Sequence, residues 1–255
     1  MSILRRDFLP AHLIAETRAA CVDAVVSVQA RQSVDETHWL LNLAANQDWV
    51  LGVVGWLPLA SPTIREVMGE FRHEKKLCGL RHVVQDESDD GFLARVDFND
   101  GIQAIKEFGW TYDLLIYARQ LPFAIPFVDL HPDQVFVLDH IAKPTIQPGS
   151  HDEHWDRDLR KLAKRPNVYC KFSGVVTEVR GQGWSISQIQ RYWDTALDAF
   201  GTNRMMFGTD WPVCLLKTSY VDWVEAVTVL ASKLSSHEQA RFWSQNAVRA
   251  YRLED

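Results

Sequence analysis

Met206-Phe207-Gly208-Thr209-Asp210-Trp211-Pro212 sets a single carboxylate where an apolar run breaks off. Pro212 stops a continuing ladder or helix. The residue before a proline is pushed toward extended geometry, which predicts that Trp211 runs straight on from the strand. Asp210 then stands at a strand's C-terminal edge beside an indole ring. In a repeated strand–helix protein that edge carries the chemistry. The plainer reading of the same aspartate is a cap on the segment that follows. A carboxylate at such a rim takes a proton from water, and an imidazole there polarises a carbonyl or carries the proton. His140, in Leu138-Asp139-His140, is the candidate imidazole. The pair points to hydrolysis.

Other polar residues gather at the ends of apolar runs: Gln29, Arg31 and Gln32; Arg81, His82 and Gln85; Tyr117, Arg119 and Gln120; Lys171 and Ser173. With Asp139, His140 and Asp210 they mark six of the seven predicted strands, which scattered surface polarity would not do. Arg81 and Lys171 are suited to an anionic or polyhydroxylated substrate. Side chains alternate faces along a strand, so Arg81 and His82, or Asp139 and His140, share the mouth only if the strand has already ended. A lone histidine at a strand end is more often a structural hydrogen-bonding group. No GxSxG elbow is present and nothing marks a serine triad. There is no HxH or HExxH. His151 and His154 have a spacing that binds metal, but Asp152, Glu153, Asp156 and Arg157 around them give a solvated face instead.

These groups sit on an alternating series. The pattern predicts strands at 24–31, 50–59, 77–85, 112–119, 135–140, 168–173 and 206–210. Helices are expected at 8–20, 33–46, 62–76, 101–109, 122–130, 152–165, 187–200, 220–234 and 236–250. Ser33 and Glu36 form a capping-box pattern. Strands apolar on both faces, alternating with helices, imply a parallel sheet covered by helices. A doubly wound sheet would carry a glycine-rich phosphate turn after its first strand. Here Gln29-Ala30-Arg31-Gln32-Ser33 follows. The expected fold is therefore α/β, a (β/α)8 TIM-type barrel one strand short, with residues 1–255 as a single domain.

The bulk numbers narrow the partners. At 255 residues and 47% hydrophobic the chain fills a complete core. A net charge of −6 argues against nucleic acid, and no 18-residue apolar run exists to span a membrane. Residues 1–7 carry charge with no apolar core behind them and are not expected to act as a secretory signal. Cys21, Cys78, Cys170 and Cys214 are far apart in apolar or strand-like contexts and read as reduced thiols of a cytoplasmic protein. The ten tryptophans either line a cavity or fill the core.

Four motifs, Gly79-Leu80-Arg81-His82, Leu138-Asp139-His140-Ile141-Ala142-Lys143-Pro144, Lys171-Phe172-Ser173-Gly174 and Phe207-Gly208-Thr209-Asp210-Trp211-Pro212, together resemble the amidohydrolase superfamily. The nearest group is the sugar-acid lactonases, and the likeness runs from about Leu4 to Asn246-Ala247. The resemblance implies a distorted (β/α)8 barrel that hydrolyses a cyclic ester such as L-fuconolactone or L-rhamnonolactone. By it, Asp210 is the base that activates water and His140 polarises the carbonyl. Arg81, His82, Lys171 and Trp211 contact the substrate, with Gln29 and Tyr117 completing the binding set. The family's first strand carries His-x-His, which this chain lacks. The expectation is accordingly a shortened barrel with no metal residues, admitting a divalent metal such as zinc only where that strand is present. Two other readings stand beside it: a metal-dependent barrel decarboxylase of an unsaturated carboxylic acid, and a non-catalytic barrel remnant that assembles, for instance as a homodimer, through exposed edges.

Overall fold

The computed structural model describes residues 2–181 and 183–253. Helix α1 (Pro10–Ala19) leads into β1 (Val25–Val28), and from there strands and helices alternate. They are α2 (Val34–Ala45), β2 (Val50–Gly55), α3 (Ile64–Glu70), β3 (Leu77–His82), α4 (Val96–Phe108), β4 (Thr111–Leu114) and α5 (Leu121–Leu130). Then come β5 (Phe136–Leu138), α6 (Glu153–Ala163), β6 (Val168–Phe172), α7 (Ile186–Phe200), β7 (Met205–Phe207) and α8 (Tyr220–Ala231). A last helical stretch joins α9 (Ser236–Ala240) through a π-type turn at Arg241–Gln245 to α10 (Asn246–Tyr251). The seven strands form one parallel sheet in sequential order, curled as a TIM-type barrel, with β1 and β7 as its end strands among the described residues.

Most predicted elements are present, with shifted bounds. The strands expected to reach Leu59, Gln85 and Arg119 stop at Gly55, His82 and Leu114. Their polar ends bond locally instead: Gln120 Oε1 accepts the Tyr117 N–H at 2.9 Å, which turns the chain out of the ladder. The helix expected from 101 begins at Val96. Ser33 caps α2 by accepting the Glu36 N–H. The Glu36 carboxylate accepts the Arg31 N–H rather than that of Ser33, so only half of the capping box forms.

Two apolar layers follow from strand alternation, broken in β3 by the register shift opposite Val53 and Val54, so that Cys78 faces inward while Leu80 faces outward. Outward residues such as Leu80, Tyr112, Leu114, Phe136, Cys170 and Phe172 pack under the helices with Trp155, Trp193 and Trp223, which settles those tryptophans as core. Inward residues Val54, Cys78, Val137 and Met206 form a smaller interior cluster, which Ala250 and Tyr251 of α10 complete. Thr111 Oγ1 donates to the Ala250 carbonyl at 2.6 Å, and Asn246 Nδ2 donates to the Met205 carbonyl at 2.6 Å. The C-terminal helix thus fills the barrel interior from beneath. Cys78, Cys170 and Cys214 are buried, but Cys21 is exposed on the turn after α1, against expectation.

The approach of α4 to the loop after β2 needs a glycine. A Cβ on Gly101 would lie 2.1 Å from the Leu59 carbonyl oxygen, and backbone cannot yield as a flexible side chain would. Gly101→Ala improves helix propensity by up to about 1 kcal/mol yet should still destabilise, by roughly 1–3 kcal/mol. Urea denaturation of the variant beside the parent measures this; an increase in stability would contradict the packing described.

Candidate active site

The inward positions nearest the C-terminal ends of β3, β4 and β6, with Asp139 just past β5, carry charges. Arg81 Nη1 donates to Asp139 Oδ2 at 2.7 Å, and Lys171 Nζ donates to Asp139 Oδ1 at 2.8 Å. Lys171 also donates to Asp113 Oδ2 at 2.6 Å, and the Tyr251 hydroxyl donates to both Asp113 oxygens at 2.9 and 2.8 Å. Arg81 further donates to the Gln29 carbonyl, while Gln29 Nε2 donates to the Arg81 carbonyl at 3.1 Å. Two cations and two anions alternate in one buried chain, so the charge of each is met locally. Burial pushes Asp139 upward, but Lys171 and Arg81 together hold it well below the usual carboxylate range. Burial dominates at Asp113 and pushes it up to about 6. Burial opposes the charge on Arg81 and Lys171, and the facing carboxylates outweigh it, so both stay protonated.

Strand β5 ends at Leu138, and the next residues form a left-handed turn. His140, Ile141, Ala142 and Lys143 have φ of 52°, 48°, 60° and 49°. Four consecutive non-glycine residues there are strained by about 1–2 kcal/mol each. The turn is closed by Lys143 N–H donating to the His140 carbonyl at 2.8 Å and by Trp155 Nε1 donating to the Ile141 carbonyl at 2.6 Å. It resolves the alternation problem: Asp139 meets the ion chain and His140, next in sequence, meets Asp210. At the end of β3 the ladder persists through His82, so Arg81 faces inward and His82 does not.

His140 is buried. Its Nδ1 lies 2.8 Å from Ser173 Oγ, and its Nε2 lies 3.6 Å from Asp210 Oδ1. Burial lowers its pKa, against the raising effect of Asp210 and Asp139, so the ring is neutral. Asp210 departs from the sequence expectation. It has φ 57°, so the chain turns at Asp210 instead of running on through Trp211, and its carbonyl accepts the Cys214 N–H at 2.9 Å. Aspartate tolerates this conformation better than most residues. Its carboxylate caps no backbone group among the described residues and is left facing His140. Gly174 makes the approach feasible: its φ is 64°, and a Cβ there would lie 2.7 Å from Asp210 Oδ2 and 2.9 Å from His140 Nδ1.

The remaining expected site residues divide by position. His82 accepts from Trp56 Nε1 at 3.2 Å on Nδ1, which leaves its proton on Nε2, 2.7 Å from Glu87. It stacks on Phe92 and borders an apolar cavity of about 170 Å³ with Trp56, Leu59 and Phe98. Trp211 packs edge-on against Phe8, with its indole N–H unpartnered among the described residues. Tyr117 lies at the rim under Arg119 and Lys143. Gln29 is fully buried beneath Arg81. The sequence reading missed Asp113, Tyr251, Trp56 and Glu87, and it quoted Gly174 in a motif without giving it a role. Asp113 fell near the start of the strand expected at 112–119, whereas β4 ends one residue beyond it, and Tyr251 lies 138 positions away. The expected solvated face holds for Glu153, His154 and Arg157, which are exposed, but not for His151, whose side chain is buried against Trp155 and Tyr192 and bonds Asp156 at 2.9 Å.

The amidohydrolase family model matches residues 2–253. The chain belongs to the amidohydrolase family. It is 40% identical to an L-fucono-1,5-lactonase of Burkholderia multivorans, over 100% of this chain and 89% of that one. It is 30% identical to an L-fucono-1,5-lactonase of Burkholderia ambifaria, over 100% of this chain and 88% of that one. A crystal structure of a Burkholderia multivorans amidohydrolase with bound zinc superposes with a TM-score of 0.96 at 40% identity, covering 100% of this chain and 92% of that one. In this amidohydrolase His140 and Asp210 bring two donors together, and among the described residues no three His, Cys, Asp or Glu groups converge. That set falls short of the three protein ligands of a catalytic zinc site.

The Asp139 carboxylate joins both cations. Asp139→Asn should cost on the order of 3–5 kcal/mol, because it leaves Arg81 and Lys171 short of a charge partner. The sign with pH follows from the depressed value of Asp139. Its stabilisation is present above the ordinary aspartate value, about pH 4, and is lost as pH falls toward the lower folded value. The gap between parent and variant in urea denaturation should therefore narrow below about pH 4; a gap that widens in acid would contradict the ion chain.

Proposed function

We propose that this amidohydrolase is a lactonase that opens the ring of an uncharged, polyhydroxylated sugar-acid lactone, with L-fucono-1,5-lactone as the first substrate to try. The observation that carries this reading is the Asp210 carboxylate facing the buried neutral ring of His140 at 3.6 Å. The two L-fucono-1,5-lactonases it resembles over its full length support the choice of lactone.

In this reading Asp210 takes a proton from water as the water oxygen bonds to the lactone carbonyl carbon. The carbonyl π pair moves onto oxygen. With Asp210 ionised, the least charge conflict places the His140 proton on Nε2 and has the Ser173 hydroxyl donate to Nδ1. That N–H then polarises the carbonyl and stabilises the developing oxyanion. When the oxyanion collapses, the ring C–O bond breaks and the departing oxygen takes the proton held by Asp210, so the base is regenerated. Trp211 Nε1 and Arg81 Nε have no hydrogen-bond partner among the described residues and are the groups proposed to bond substrate hydroxyls; Gln29 Oε1 is likewise unpartnered but fully buried beneath Arg81, where its side chain is proposed to support that guanidinium. His82 and Tyr117 line the rim.

Charge favours a neutral substrate. Arg81 and Lys171 already face Asp139 and Asp113, so neither is a free cation for a carboxylate. The same point weighs against a decarboxylase, which has to hold an acid.

Asp210→Asn should lower kcat by about 100-fold or more with the fold intact, followed by proton release on L-fucono-1,5-lactone. The parent should turn over neutral sugar lactones and leave 2-pyrone-4,6-dicarboxylate untouched. No turnover of any neutral lactone by folded parent protein, or an Asp210→Asn variant as fast as the parent, would end the reading.

A further inference from the structure

The hydrogen bonds beneath the site point to a residue from the opposite end of the barrel. Tyr251 belongs to α10, the helix that fills the interior from below, next to Cys78, Val54, Val137 and Met206. Its ring is packed there, and Lys171 Nζ lies 5.4 Å from the ring centroid. Its hydroxyl donates to both oxygens of Asp113. Asp113 in turn holds Lys171, and Lys171 holds Asp139, which is bonded to Arg81 and precedes His140. Two of the three Lys171 donors are thereby committed to carboxylates. The side chain is 11% exposed, and the third donor has no hydrogen-bond partner among the described residues.

We propose that Tyr251 is a positioning residue for the reaction: it fixes the Asp113 carboxylate so that Lys171 presents its remaining N–H to the substrate. The role is separable from packing, because phenylalanine keeps the ring and removes only the hydroxyl. It also has a direction in pH. The groups facing Asp113 are Lys171 from β6, Asp139 after β5, Arg81 and Cys78 from β3, and Tyr251 from α10. Burial already pushes Asp113 up to about 6. Loss of a donor to the ionised form raises it further, so Asp113 becomes protonated nearer neutral pH and releases Lys171.

The inference rests on the lactonase reading for its kinetic arm, and a spectroscopic arm stands apart from it. In pH profiles of Tyr251→Phe, Asp113→Asn and the double variant on L-fucono-1,5-lactone, Tyr251→Phe should lower kcat about 10-fold with KM nearly unchanged. Its acid limb should move to higher pH. The double variant should be no slower than Asp113→Asn, since the hydroxyl acts only through that carboxylate. In carboxyl ¹³C titrations the Asp113 resonance should shift to higher pH in Tyr251→Phe, whether or not any lactone is turned over. Multiplicative losses in the double variant, or an Asp113 titration and acid limb that coincide with the parent, would overturn the proposal. If the parent turns over no lactone while the Asp113 resonance moves as expected, the failure belongs to the substrate reading and the hydroxyl–carboxylate coupling stands.

Discussion

Mutual neutralisation of Arg81, Asp139, Lys171 and Asp113 is the constraint on which the rest of the barrel interior depends. A single charge of this kind buried between parallel strands would carry a desolvation penalty of several kcal/mol. Alternating signs along one hydrogen-bonded path reduce it, and each of the three inter-residue contacts is 2.6–2.8 Å long. The four side chains come from three strands and the turn after a fourth, so the chain also ties β3, β4, β5 and β6 across the interior. Replacing such a set with apolar residues is often no loss in stability. Its retention here makes sense as placement, because it fixes Asp139 and thereby the backbone that carries His140.

That backbone is the second constraint. A strand cannot aim consecutive side chains at one cavity, yet Asp139 goes to the ion chain and His140 goes to Asp210. The left-handed turn from His140 to Lys143 reconciles the two. Its strain is held by the Trp155 indole beneath it and by the buried environment of Ile141 and Ala142. Asp210, on the other side of the site, has the same handedness. Both groups proposed to act on the lactone therefore stand on backbone that has left the sheet, between rigid strands that keep them 3.6 Å apart. Strained residues of this sort cluster where function fixes geometry against preference.

Much of this was legible in the sequence, and the limits have physical causes. Alternating apolar runs gave the parallel sheet and its helices, because burial on both faces leaves a composition signal. Strand ends were overrun at β2, β3 and β4, since the polar residues that stop a ladder resemble those that continue it. Asp210 and His140 were singled out through their place at strand ends, and the structure brings them within 3.6 Å of each other. The run straight through Trp211 was wrong because aspartate itself tolerates the turn that proline seemed to forbid. Asp113 could not be seen: near the start of the strand expected at 112–119, it looked like one polar position in a buried strand, whereas β4 ends one residue beyond it. Arg81, Lys171 and Asp139 were seen as strand-end polar groups, but not that they pair with one another. The proposal of a neutral substrate, narrower than the expectation of an anionic or polyhydroxylated one, rests on those pairings.

Charge balance also separates this site from others that the same fold accommodates. A barrel rim with free cations favours acids, and the same rim with those cations paired favours hydroxyl groups. In this chain the pairing is supplied by Asp113 and Asp139. Fold cannot decide between the two rims, since one architecture hosts many chemistries. What decides is whether each positive group meets the solvent or another side chain. In this amidohydrolase Asp113 and Asp139 occupy two of the Lys171 donors and one end of the Arg81 guanidinium, so the proposed contacts to substrate hydroxyls fall to the Trp211 indole N–H, the Arg81 Nε and the third Lys171 hydrogen. Those donors suit a polyol, and the proposed base beside them, Asp210, needs only water and an ester.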